Sequence, residues 1–128
     1  MGNPVKHLLG MPFSGRQARL AQKREALNEA EFVRRIADEG GDRDAATVLW
    51  TKLLNLRYPD NFTPYPSDSL LKVFGIAEEE LDEDLILAIL KELNVRPPSK
   101  ELLSQFGAID TPLRVAQLIA LCRQNPVS

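Results

Sequence analysis

Six carboxylates fall within the seven residues from 78 to 84, at the start of the segment EEELDEDLILAILKEL. They are Glu78, Glu79, Glu80, Asp82, Glu83 and Asp84. Two neighbouring carboxylates can act as a general acid and a general base, or bind Mg²⁺ through their oxygens. The sequence supplies no Gly-rich phosphate loop and no nucleophile beside a positioned base. We therefore expect neither an enzyme nor a metal site here.

The two other chemically reactive side chains occur once each. Cys122 is the only cysteine and His7 the only histidine, so a disulfide, a multi-cysteine metal site or a histidine-based metal site is not expected. Cys122 lies in an apolar helical stretch and is predicted to pack in the core. His7 falls in a segment with several Gly and Pro residues, which disfavours a catalytic triad built on it. We predict no catalytic residue and no cofactor.

The acidic cluster has two interpretations that the sequence leaves open. Carboxylates in the first turn of a helix interact favourably with its macrodipole, by about 0.3–1 kcal/mol each. One or two would suffice for that purpose, and six repel one another. A basic surface of another protein would relieve this repulsion. The cluster is therefore either a solvated helix start or a partner-docking surface.

Bulk composition is that of an ordinary globular protein, with 128 residues, 44% of them hydrophobic and 27% charged. No apolar run approaches the ~20 residues needed to cross a bilayer. The N-terminus has no apolar stretch followed by a small-residue cleavage site, as a secretory signal would. We expect a cytoplasmic protein without a membrane span.

Charge divides the chain into two parts. Residues 1–43 carry eight basic and six acidic residues, whereas the remainder carries eight basic and twelve acidic ones. We predict an N-terminal arm and extra helix over 1–43 and a helical bundle over 44–128, packed as one compact domain. The mildly basic arm is a weak indication of nucleic-acid binding, and the acidic body argues against it.

Apolar residues recur at helical spacing and no long stretch alternates with period two, so the fold class is predicted to be all-α. Residues 1–13 are expected to be a loose entry. A capping box at Ser14 and Gln17 begins the first helix, and residues 15–38 form one helix or two joined near Asn28. The loop of residues 58–67 should be pinned to the core by its aromatic residues. Thr111 followed by Pro112 predicts the start of the last helix.

The first helix is predicted to pack an apolar stripe on the bundle and to point its cations outward. The stripe comprises Leu20, Ala21, Leu27, Ala30, Val33 and Ile36, and the outward cations Arg16, Arg19, Lys23, Arg24, Arg34 and Arg35. Such a basic face could also contact the acidic helix of a neighbouring copy, giving a homodimer, or bind nucleic acid or an anionic membrane surface.

From Asp44 onward the order of parts resembles an acyl or peptidyl carrier protein. The likeness covers about 85 residues: a first helix, a long loop, the turn SLLKVFGI, the acidic-started helix EEELDEDLILAILKEL, the exit NVRPP, a short helix and the final TPLRVAQLI. It implies a bundle of about four helices with a long first loop, preceded here by the N-terminal extension. It also implies that the acidic second helix is the face on which partners dock.

Carrier proteins attach phosphopantetheine to the serine of an Asp-Ser-Leu motif at the start of helix two. At the matching position this chain has Ala77, Glu78 and Glu79, so the resemblance implies a carrier fold without the carrier chemistry. We predict a non-catalytic domain that docks a protein with a basic surface. The alternatives are a functional carrier modified at Ser69, whose Asp-Ser-Leu lies before Gly75, and a helical nucleic-acid-binding regulator using the basic first helix.

Overall fold

The computed structural model describes residues 4–124, and the side chains from residue 13 onward other than those of residues 82 and 83. This part of the chain forms seven helices and no strand, which confirms the all-α prediction. They are α1 (Pro4–Lys23), α2 (Glu29–Asp38), α3 (Arg43–Leu54), α4 (Leu70–Phe74), α5 with its three consecutive segments (Glu78–Glu80, Leu81–Ile86 and Leu87–Glu92), α6 (Lys100–Phe106) and α7 (Pro112–Gln124). None of these helices is long and apolar enough to cross a membrane.

The N-terminal region is helical earlier than the sequence predicts. Helix α1 begins at Pro4, where the missing N–H is one that a first helical turn leaves unpaired anyway. The expected loose entry over residues 1–13 is therefore wrong from Pro4 onward, and Ser14 and Gln17 lie inside the helix rather than capping it. The chain leaves the helix after Lys23 and re-enters it at Asn28, whose side chain accepts a hydrogen bond from the Glu31 amide at 2.8 Å. Residues 15–38 are thus two helices.

The core lies where α2, α3, α5 and α7 meet. Helix α3 packs against α2 on one side and α7 on another, and Trp50 of α3 lies with its ring centroid 5.3 Å from that of Phe32. Both rings are buried, as predicted for Trp50. The N-terminus of α3 is capped by Asp42, which accepts from the Ala45 amide, and Asp42 also pairs with Arg123 of α7. These contacts fix the two helices on which the rest of the bundle packs.

A buried glutamine, Gln17, joins α1 to the loop between α3 and α4. Its side chain is fully buried. The Gln17 Nε2 donates to the Val73 carbonyl at 2.8 Å, and the Gln17 Oε1 accepts from the Tyr58 amide at 2.9 Å. The predicted capping-box role of Gln17 is wrong, because its side-chain amide bonds to backbone groups of the loop and of α4. A polar residue on the inward face of α1 therefore orients the helix and the loop together.

The loop of residues 58–67 is held mainly by two of its three aromatic residues. Phe62 is fully buried and meets Phe74 edge to face, with ring centroids 5.8 Å apart. The Tyr65 hydroxyl donates to the Glu25 carbonyl at 2.5 Å. The Tyr58 side chain is 40% exposed, so for this residue the predicted pinning is made by the backbone amide and not by the ring.

Helix α4 ends abruptly at Gly75, as expected from the sequence. Gly75 has φ +72° at the C-terminal cap, a conformation that favours glycine. A Cβ on this residue would lie 2.8 Å from the Phe13 ring of α1. Glycine is therefore required both by the turn and by the close approach of α1.

Helix α5 contains a π-helical stretch, Leu81–Ile86, between its two α-helical segments. In a π-helix the hydrogen bonds join residues five apart, and Leu81 and Ile86, which are five apart, are both buried. Leu85, Ile89 and Leu90 are buried as well. These residues form a wide buried face of α5, whereas Leu87 is 45% exposed.

The last two helices both have side-chain N-terminal caps, and α7 begins where the sequence predicts. Ser99 caps α6 by accepting from the Leu102 amide at 3.1 Å. Thr111 caps α7 by accepting from the Arg114 amide at 3.2 Å, and Pro112 occupies the first helical position. Before them, α5 ends at Glu92, and the φ of 57° at Asn94 is typical of a residue just past a helix C-terminus.

Candidate docking site

The acidic segment forms the exposed start of α5. Ala77 is the N-terminal cap residue without a side-chain hydrogen bond, and Glu78–Glu80 form the first turn, all three exposed. The Asp84 side chain is exposed too, whereas the predicted docking residues Asp82 and Glu83 have side chains outside the described part. The carboxylates of the first turn lie where the positive end of the helix macrodipole stabilises them.

Among the described residues, the carboxylates at the start of α5 lack cation partners, whereas several carboxylates of α2 and α3 have them. Within the described part of the chain, no Lys or Arg forms an ion pair with Glu78, Glu79, Glu80 or Asp84. On α2, by contrast, Arg34 pairs with Glu31 and with Asp38, and the Arg34 side chain lowers the pKa of the Glu31 carboxyl. Arg123 similarly joins the two aspartates at the start of α3. The negative charge at the start of α5 is thus not balanced by a described neighbour.

An apolar groove of about 460 Å³ opens beside this acidic turn. Its lining comprises the apolar Leu70, Leu71, Ile76, Leu81, Leu103, Ala108 and Ile109, the acidic Glu78 and Asp110, and Gly107. The volume lies in the range of about 300–1,000 Å³ typical of ligand sites. Leu71 is 57% exposed, so this apolar side chain of α4 is open to solvent at the groove. The first turn of α5 therefore forms an acidic edge of an apolar surface.

Arg114 fixes the wall of the groove that follows α6. Its guanidinium donates to the Ala108 carbonyl at 3.0 Å and to the Phe106 carbonyl at 2.6 Å, and lies 3.9 Å from the centroid of the Phe106 ring. The opposite end of the wall is attached to α4, since the Leu70 amide donates to the Asp110 carbonyl at 2.9 Å. These bonds hold the short loop between α6 and α7 in one conformation without any secondary structure of its own.

Ser69 caps a helix. Its Oγ accepts from the Lys72 amide at 3.0 Å, at the start of the five-residue α4, and its side chain is half-buried. The neighbouring Asp68 is buried and accepts from both the Arg24 guanidinium and the Tyr65 amide. Both polar side chains of this Asp-Ser-Leu motif thus have structural partners, and modification of Ser69 stays the alternative to the prediction of an unmodified chain.

Arg24 is one of the cations expected to point outward, and it points inward instead. It binds both oxygens of Asp68, at 2.7 and 2.8 Å, and donates to the Thr63 carbonyl at 3.0 Å. Its guanidinium lies 4.0 Å from the centroid of the Tyr65 ring. The reason is that the loop supplies a buried carboxylate and an aromatic face, which together compensate for removing the guanidinium from water.

Some of the other burial and exposure predictions for α1 and α2 are confirmed, and others are wrong. Arg16, Arg19, Lys23 and Arg34 are exposed, and Arg35 is half-buried above the Tyr65 ring. In the apolar stripe, Leu27, Val33 and Ile36 are buried. Ala30 is exposed, because it falls on the outer side of α2 once that helix begins at Glu29.

The contacts of Arg114 with the groove wall are not predicted from the sequence, although the position of this arginine in the chain indicates that it has partners. It lies in the first turn of α7, where the macrodipole disfavours a cation. A cation at such a position indicates compensating partners, which here are the carbonyls at the end of α6. Gln17 and Arg24 give a similar signal, since they continue the spacing of three and four residues that Phe13 and Leu20 set on the inward side of α1.

The single cysteine is part of the core, as predicted. Cys122 is buried, and burial raises the pKa of its thiol. Among the described residues, no three His, Cys, Asp or Glu side chains come together in a group able to hold a metal ion.

No protein-family model, no curated protein and no solved structure gives a significant match to this chain. Arguments about its function therefore depend on the geometry of the site and on the order of its helices.

Proposed function

We propose that this chain is a non-catalytic, carrier-protein-like helical domain that acts by docking a protein with a basic surface at the start of α5. The observation that carries the proposal is the set of exposed carboxylates, Glu78–Glu80 and Asp84, which have no cation partner among the described residues. Bringing a cationic surface to this turn relieves repulsion between like charges. The two surfaces are then electrostatically complementary, which raises the rate at which the two proteins associate and excludes acidic partners.

The apolar groove supports the same assignment. Electrostatic contacts at an exposed rim contribute little affinity on their own, and buried apolar contacts at the centre contribute most of it. Leu71 and Ile109 provide such a centre immediately beside Glu78. A partner with apolar side chains flanked by Lys or Arg would bury the apolar side chains in the groove. Its Lys or Arg side chains would pair with the carboxylates at the acidic edge.

The carrier-like part of the proposal is supported by the order and length of the helices. A twelve-residue α3 is followed by a long loop with a short helical turn, an acidic-started α5, a seven-residue α6 and a final α7. This is the order that carrier proteins have, with α1 and α2 added in front. The residue that begins the second long helix is Glu78, so the docking function is proposed without the prosthetic group.

The proposal is tested by site-specific photocrosslinking in cells. The photoreactive residue p-benzoylphenylalanine replaces Glu79 in one variant and, as a matched control, the exposed Glu101 of α6 in another. We expect a discrete crosslinked adduct from position 79 and none from position 101. The adduct should disappear when Glu78→Lys and Glu80→Lys are added.

Two results would overturn the docking proposal. One is equal crosslinking from positions 79 and 101, which would indicate random collisions. The other is an adduct at position 79 that persists with full yield after the two charge reversals, with circular dichroism showing that the helices remain folded.

A further inference from the structure

The groove beside the acidic turn and helix α1 lie on neighbouring sides of α4. Helix α1 contacts α4 through the bond from Gln17 to the Val73 carbonyl and through Phe13 at Gly75. The same α4 lines the groove with Leu70 and Leu71. Helix α4 therefore both contacts α1 and lines the apolar groove.

Helix α1 has the chemistry that such a groove would bind. Residues 1–24 contain five basic residues and no Asp or Glu, which is the longest stretch of the chain without a carboxylate. Arg16, Arg19 and Lys23 are exposed, and none of them forms an ion pair with a described carboxylate. Their spacing of three and four residues gives them a common side of the helix.

We propose that the groove binds α1 of a second copy of this chain, so that two copies form a symmetric dimer. This inference rests on the proposed docking function and names its partner. A two-fold interface requires a self-complementary patch on each copy. Here the basic α1 of each copy lies across the acidic-edged groove of the other, and the two contacts are equivalent. At 1.5 Å per residue, the twenty residues of α1 extend over about 30 Å.

The dimer is tested by sedimentation velocity over a range of protein concentrations at low and high ionic strength. At low ionic strength the mass should rise from 14.3 kDa to twice that value with concentration. High ionic strength should weaken the association, because the charged rim is exposed and screened by salt. A chain that remains monomeric at every concentration overturns the inference.

Charge exchange gives the sharpest version of the experiment. One triple variant carries Glu78→Lys, Glu79→Lys and Glu80→Lys, and the other carries Arg16→Glu, Arg19→Glu and Lys23→Glu. Each variant alone should be monomeric, because its α1 and the first turn of its α5 carry charges of the same sign. Both contacts of the dimer would then be repulsive. An equimolar mixture should dimerise again, since both contacts then join opposite charges. A mixture that stays monomeric overturns the inference.

Two controls separate the groove from general charge effects. The variant with Glu29→Lys, Glu92→Lys and Glu101→Lys has the same change in net charge at exposed positions elsewhere, and should dimerise like the parent chain. Leu71→Asp, inside the groove, should weaken dimerisation about tenfold or more, as expected for a central apolar contact. Leu87→Asp, on an exposed leucine of α5 outside the groove, should leave it unchanged.

The outcomes distinguish this inference from the docking proposal. A monomeric chain whose position 79 still crosslinks to a different protein would overturn the second copy as the partner and retain docking. A dimer that is indifferent to Leu71→Asp and to both charge reversals would place the interface elsewhere and overturn the inference. The crosslinking yield at position 79 would then decide the docking proposal independently.

Discussion

Replacing Gln17 by leucine is the most direct test of how α1 is held on the bundle. The side chain is fully buried and joins the Tyr58 amide and the Val73 carbonyl, at 2.9 and 2.8 Å. Leucine has a similar size but offers neither a donor nor an acceptor. Both backbone groups would lose their partner, and a buried group without a hydrogen bond costs about 1–3 kcal/mol. The added apolar contact offsets part of this, by about 1 kcal/mol.

We therefore expect Gln17→Leu to lower the free energy of unfolding by about 2–4 kcal/mol. The matched control is Gln22→Leu on the same helix, where the glutamine is exposed and the change should stay within about 0.5 kcal/mol. Urea denaturation followed by circular dichroism measures both free energies. Amide exchange at Tyr58 adds a local measurement, since its protection depends on the lost bond.

The reasoning is refuted if Gln17→Leu and Gln22→Leu have the same stability within about 0.5 kcal/mol, or if the Tyr58 amide keeps its protection in the first variant. Gln17→Glu provides a further comparison. It keeps an acceptor for Tyr58 but directs a carboxylate at the Val73 carbonyl, so it should be no more stable than the leucine variant near neutral pH.

Three further predictions concern other buried or capping groups. Arg24→Lys should lower the free energy of unfolding by about 1–3 kcal/mol, because an ammonium cannot reproduce the bidentate contact with Asp68. Urea denaturation measures this change. A loss of stability no larger than that of Arg19→Lys would contradict the prediction. Ser69→Ala should lower the free energy of unfolding by about 1 kcal/mol, because α4 loses its N-terminal cap. Intact mass after incubation with coenzyme A and a phosphopantetheinyl transferase should show no gain, and a gain that Ser69→Ala abolishes would make the chain a carrier. Cys122 should react slowly with iodoacetamide in the native state and rapidly in denaturant, because burial raises the pKa of its thiol and blocks access; equal rates would refute its burial.

Local signals in the sequence predict most helix boundaries because each depends on a few neighbouring residues. Asn28, Ser99 and Thr111 cap helices through bonds to an amide three residues on. Gly75 ends α4 because its positive φ is a local preference of glycine. The start of α1 is the exception. Gly10 and Pro12 predict a break before Ser14, yet the helix continues through them, which shows that backbone preferences of single residues do not decide a helix boundary alone.

The candidate site is predicted only in part. The acidic first turn of α5 can be located from the sequence, since six carboxylates are adjacent in the chain. The groove cannot, because its walls come from α4, α5 and the loop after α6, which are separated by up to forty positions. Leu71 illustrates the difference. Its apolar type indicates burial, whereas its position on α4 leaves it open at the groove.

The all-α class, the caps at Asn28 and Thr111 and the acidic start of α5 can be predicted from the chain, since these follow from periodicity and from interactions between residues close in sequence. The inward turn of Arg24 to Asp68, the bridge from Gln17 to the loop and the contacts of Arg114 with the groove wall become visible in the folded structure. Each of these polar side chains has partners eight to fifty-six residues away. A polar residue type alone predicts exposure to water. Such a side chain can nevertheless be buried when all of its hydrogen bonds are made within the protein, and those partners cannot be identified from its type.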